Sequence, residues 1–167
     1  GHAGAICALG HAVAEGRGAP RHPPRAVALW RHAAEAGHVP AMTALGKAYA
    51  AGFGTAADPA EAARWFSRAA AGGDAEAEYY LGWHYESGAG VPADAVQAAI
   101  CYLNAAERGV AAAQNNLGVL YANGTGVPKN LIDAYVWLAR AADAGDPRAP
   151  DNLGAVRRRM SWGERRR

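Results

Sequence analysis

The dipeptide Leu-Gly occurs at residues 9, 45, 81, 117 and 153, and every interval is 36. A fixed period of this length constrains the fold tightly, because each copy must be the same structural unit meeting the same kind of neighbour. Other columns keep the step. Glycines recur at 16, 52, 88 and 124, and again at 18, 54, 90 and 126. Alanines recur at 26, 62, 98 and 134, and Ala pairs at 33–34, 69–70, 105–106 and 141–142 are followed by glycines at 37, 73, 109 and 145. Tyr49, Tyr85 and Tyr121 share a column with Val13.

Each period reads as two helices. The first covers about 3–15, 39–51, 75–87 and 111–123, where Ala41, Leu45 and Tyr49, and their counterparts in the next two repeats, recur every four residues as one stripe. The following glycines stand where a C-terminal cap needs a left-handed residue. The second helix starts after Asp58, Asp94 or Asn130, with Glu61 and Gln97 at capping-box spacing and Pro59 at the first helical position. The first repeat has His22-Pro23-Pro24 instead, which predicts a weaker cap and a more frayed helix. The chain of 167 residues contains 44 alanines and 21 glycines, so its core must come from close backbone approach plus a few aromatic side chains. Trp65, Phe66, Tyr102 and Trp137 are candidates for filling the seams.

Leu-Gly-x-x-Tyr, Gly-x-Gly-Val-Pro, Asp/Asn and Ala-x-x-Trp-(Tyr/Leu)-x-x-Ala-Ala together resemble the Sel1-like repeat, a relative of the tetratricopeptide repeat. The fourth copy carries the pattern most fully, from Asn115-Asn116-Leu117-Gly118 through Gly124-Thr125-Gly126-Val127-Pro128 to Trp137 and Ala141-Ala142. The resemblance implies an all-α fold, a right-handed superhelical solenoid of helix-turn-helix repeats at about 3–38, 39–74, 75–110 and 111–146, with a partial repeat at 147–160. Residues 1–160 would form one solenoid, and 161–167 a basic tail or the start of a truncated helix. That partial copy suggests a piece of a longer protein. The family's role is that of adaptor or scaffold, often in bacterial signalling, envelope or host-interaction systems. Neither a bacterial cytoplasmic nor a periplasmic setting is favoured.

Several chemistries find no support. Ser67, Ser87 and Ser161 lie in no Gly-x-Ser-x-Gly elbow. Cys7 and Cys101 fall in different helix types two repeats apart, with no nucleophile signature. Gly124-x-Gly126-x-x-Lys129 lacks the Gly-Lys-Ser/Thr ending of a phosphate loop, and the repeat accounts for its glycines. No histidine pair has zinc-helix spacing. The expectation is a non-catalytic chain with no cofactor or metal. No run of 18 apolar residues predicts a membrane span.

Charge is uneven. Residues 157–167 hold six arginines and Glu164, while the remainder is mildly acidic. The acidic body argues against a nucleic-acid partner, although the arginine end keeps that alternative in view. A second alternative is an accessory or regulatory domain of a larger envelope-associated enzyme. Self-association through exposed solenoid ends is a third possibility for such open stacks.

By the resemblance, first helices line the inner groove, and the inward positions lie two before the Leu, two after it, and five and six after it. On this chain they include Thr43, Tyr79 and Asn115; Lys47, Trp83 and Val119; Glu86; and Asn123. Tyr79 and Trp83 are four apart, hence neighbours on one helix face. Tryptophan at a position held elsewhere by His11, Lys47, Val119 and Ala155 is not demanded by packing, and Tyr and Trp are enriched at binding hot spots. The predicted site is a groove for a peptide or protein segment. Tyr79 and Trp83 serve as apolar anchors, Asn115 and Asn123 bond ligand backbone, and Lys47 and Glu86 select charge.

Overall fold

A computed structural model describes residues 1–18 and 20–160. The described residues contain nine α-helices and no strand. These are α1 (His2–Glu15), α2 (Pro23–Glu35), α3 (Val39–Ala51), α4 (Pro59–Ala71), α5 (Ala75–Ser87), α6 (Ala95–Glu107), α7 (Ala111–Asn123), α8 (Leu131–Asp143) and α9 (Ala149–Arg159). The helices fall into two compact units, Gly1–Pro92 and Ala93 onward. In the first, α1 to α5 pack serially, each on the next; in the second, α6 to α9 do the same. The segment 161–167, expected as a basic tail or a truncated helix, lies outside the described residues.

The helix ends follow their residues. Gly16, Gly52, Gly88 and Gly124 close α1, α3, α5 and α7 in the left-handed conformation. Asp58 accepts the N–H of Ala60 and of Glu61, both at 3.0 Å. Asp94 and Asn130 each accept two N–H groups in the same way. The first repeat is capped by a single bond, as His22 Nδ1 accepts from Arg25 N at 3.2 Å. One bond in place of two keeps it the weaker cap.

Two glycine columns decide how closely the helices approach. The glycine of Leu-Gly admits a side chain from the second helix of its own repeat. A Cβ at Gly10 would stand 2.6 Å from Trp30 Nε1, one at Gly46 2.7 Å from Phe66 Cε1, and one at Gly118 2.7 Å from Leu138 Cγ. The second column belongs to the turn. Gly90 and Gly126 have φ of +74° and +69°, and each lies on the start of the second helix of the preceding repeat. A Cβ would come within 2.3 Å of Pro59 C and 2.0 Å of Ala95 O, so both the left-handed backbone and the close approach require glycine. The alanine columns supply the rest of the seam, since Ala26, Ala62, Ala98 and Ala134 are all fully buried. Larger side chains cover these joints. Trp65 is buried under the Arg68 guanidinium, 4.4 Å away, and Trp137 has Arg140 at 4.8 Å in the matching place. In the second unit, Leu138, Val156 and Met160 form an apolar cluster with Ala122 and Ala134.

Candidate partner-binding surface

In the first unit, α3 and α5 carry Thr43, Lys47, Tyr79, Trp83 and Glu86. Thr43 is buried, and its hydroxyl donates to Asp74, the cap of α5, whose other oxygen accepts from Glu76 N at 2.9 Å. Lys47 Nζ reaches Glu76 Oε1 at 2.6 Å and stands 5.2 Å from the Tyr80 ring. Both side chains therefore tie one first helix to the next. The aromatic residues divide differently. Tyr80 stacks on Phe66 at 4.9 Å, and burial pushes its phenol up while Lys47 opposes the shift. Tyr79 is half-buried, with its ring 5.2 Å from that of Tyr80. Trp83 is 46% exposed and lies edge-on to His84 at 5.2 Å. His84 itself is buried, and its Nδ1 lies 2.6 Å from Ala89 O, a distance at which the ring nitrogen carries the proton and donates. Glu86 is exposed one turn beyond Trp83.

In the second unit, Asn115, Val119 and Asn123 lie along α7. Asn115 is buried, and its Oδ1 accepts from Asn152 Nδ2 of α9 at 2.8 Å. Val119 and Asn123 line a small cavity of about 120 Å³ with Asn152 and Arg159. Arg159 donates to Ala122 O at 2.5 Å and to Asn123 Oδ1 at 3.4 Å, so a cation caps the C-terminal end of α7. Arg157 lies 6.0 Å from the Tyr135 ring. Two arginines of the basic end thus have roles in the fold, which their clustering in sequence did not reveal. A larger cavity of about 330 Å³ opens in the first unit beside His11, Trp30, Lys47 and Phe53. Sequence reasoning placed His11 and Lys47 in an inward row but missed Phe53, which stands in the turn after α3. Its column holds Arg17, Ala89 and Thr125, and that irregularity was the available signal.

Among the described residues, no group of three or more His, Cys, Asp or Glu side chains could hold a metal ion, and no helix is long and apolar enough to cross a membrane. Cys7 and Cys101 are buried free thiols, and burial pushes the Cys7 thiol up, away from the reactive thiolate.

The repeat pattern is matched by the family model for the Sel1 repeat at residues 3–38, 39–74, 75–110 and 111–146. The chain belongs to the Sel1 repeat family. Its fold class is accordingly the all-α repeat solenoid of that family. Two solved structures support the assignment. A protective antigen of uropathogenic Escherichia coli with an SLR fold is 32% identical, with a TM-score of 0.90 over 94% of this chain and 34% of its own. A Sel1 repeat protein from Oxalobacter formigenes is 33% identical, with a TM-score of 0.85 over 92% of this chain and 63% of its own. The chain therefore spans about a third of the first protein and less than two thirds of the second. No curated protein gives a significant match. Sel1 repeat proteins are in general protein-interaction modules, and their fold is typically a non-catalytic scaffold.

Proposed function

We propose that this Sel1 repeat chain is a scaffold that binds a peptide or protein segment along the first-helix face of its repeats, with Trp83 as the main anchor. One observation carries the reading. Trp83 leaves 46% of its surface in solvent at a column that other repeats fill with histidine, lysine, valine or alanine. An indole so placed contributes little to the fold and offers a large, nearly rigid contact area. Tyr79 lies one turn before it and Glu86 one turn after it on α5, while the charge of Lys47 on α3 is met by Glu76. Thr43 acts behind this surface by joining α3 to α5; within the second unit Asn123 is exposed and Asn115 joins α7 to α9. The likeness to a protective antigen of a pathogen supports a setting in bacterial envelope or host-interaction systems.

Trp83→Ala tests the reading. It is expected to weaken partner binding by about 1–2 kcal/mol, measured by calorimetry on the captured partner, with the melting temperature nearly unchanged. Full affinity in a folded Trp83→Ala chain would overturn the anchor assignment.

A further inference from the structure

The first unit builds the same joint twice and fills it only once. Between α3 and α5, Phe66 of α4 carries Tyr80 stacked on its ring at 4.9 Å and His84 tilted against it at 5.6 Å. Lys47 Nζ stands over the Tyr80 ring. One repeat earlier, between α1 and α3, each of these positions has its counterpart: Trp30 for Phe66, Ala44 for Tyr80, Ala48 for His84 and His11 for Lys47. The two alanines leave a cleft of about 330 Å³ beside Trp30, a volume within the range of ligand sites, while the indole itself stays buried at 6% exposure. His11 and Phe53 flank the cleft, with ring centroids 5.1 Å and 6.1 Å from Trp30. Arg21 does not line the cleft, but its guanidinium stands 5.2 Å from the ring of Phe53, which does, and it makes no ion pair among the described residues.

We infer that the cleft over Trp30 takes an aromatic side chain of a partner segment, carried next to an acidic residue. The chain itself shows what fits: the equivalent space one repeat on is filled by a phenol stacked on the second-helix ring, with a cation above it. In the open joint the incoming ring fills the space over Ala44 and Ala48, beside His11 and Phe53, and the adjoining carboxylate meets Arg21 over the Phe53 ring, so both shape and charge match an aromatic-acidic sequence. This deepens the partner-segment reading and rests on it, but it occupies a place separate from Trp83.

The test uses the full chain and three short probes, acetyl-Asp-Tyr-Asp-amide, acetyl-Asp-Ala-Asp-amide and acetyl-Lys-Tyr-Lys-amide, followed by the NMR methyl signals of Ala44, Ala48 and Ala51. The Asp-Tyr-Asp probe is expected to shift these methyls and the alanine probe to leave them in place. The Lys-Tyr-Lys probe should bind about tenfold more weakly. The double variant Ala44→Tyr/Ala48→His transplants the filled joint. It should melt no lower than the parent and lose about tenfold or more in affinity for Asp-Tyr-Asp. Phe53→Ala, at a half-buried residue of the turn after α3, is a second variant and should weaken binding several-fold with the far-UV circular dichroism of the chain unchanged. Absence of methyl shifts at millimolar probe, or equal binding by the filled variant, would overturn the inference. Partner capture lost on Trp83→Ala with the cleft unresponsive to every probe would overturn this inference alone and leave the scaffold reading standing.

Discussion

At the scale of single residues, the polar side chains of this repeat protein do more joining than displaying. Asp146 is the clearest case. It is 7% exposed and accepts from Arg148 N at 2.9 Å, while the Arg148 side chain reaches both of its oxygens at 3.2 and 2.8 Å. The side-chain hydrogen bond from Arg148 holds its carboxyl below the ordinary value of 3.8, against the opposing effect of burial. A depressed folded-state pKa gives stability that is present above the unfolded value and lost as pH falls through the folded one. Asp146→Asn should therefore melt lower than the parent at neutral pH, with the gap closing as pH falls below about 4. Thermal melts between pH 2.5 and 7 check this, and a gap independent of pH would contradict it. Such roles explain why the site was only partly legible in sequence. Thr43 and Asn115 sit in the inward columns, yet their partners, Asp74 and Asn152, are 31 and 37 residues away. Which polar group is consumed depends on contacts between repeats, and a column of residue types does not record those. Trp83 could be singled out because a lone indole breaks its column.

At the scale of helices, almost everything was legible, because periodicity and caps act locally. The helix bounds, the glycine stops and the Asp and Asn caps are all short-range effects of named residues. The weaker first-repeat cap was legible too, as His22 in place of Asp or Asn; that its Nδ1 is the accepting atom depends on how the ring turns, which sequence alone does not fix. His22→Asp should raise the stability of α2 by about 0.5–1 kcal/mol by adding a second accepted N–H, read as a higher melting temperature. No change or a decrease would contradict the cap account. The Leu-Gly column offers a sharper contrast. Gly46→Ala places a methyl 2.7 Å from Phe66 Cε1 and should cost about 1–3 kcal/mol through overpacking. Gly154→Ala, in the same column of α9, meets nothing closer than Arg158 Nη1 at 3.6 Å and should stabilise by about 0.5–1 kcal/mol through helix propensity. Denaturant melts of the two variants should move in opposite directions; movement in the same direction would contradict the assignment of that glycine column to ring packing.

At the scale of the whole molecule, one unit repeated at a 36-residue step has been specialised position by position. Alanine and glycine keep the columns that let helices meet, and variation collects where the repeat makes no demand. The aromatic joint around Phe66 is closed, the joint around Trp30 is open, and Trp83 stands out from α5. None of these three features follows from the period itself. Each follows from a departure from it, so departures from the repeat are where binding in this Sel1 chain is to be sought. The most direct measurement is site-specific photo-crosslinking of the partner, with a benzoyl-phenylalanine at position 83 and, as the opposite case, at position 136, an exposed second-helix residue. The account predicts one partner band from position 83 that is absent from position 136. A partner that crosslinks from 136 and not from 83 would contradict it.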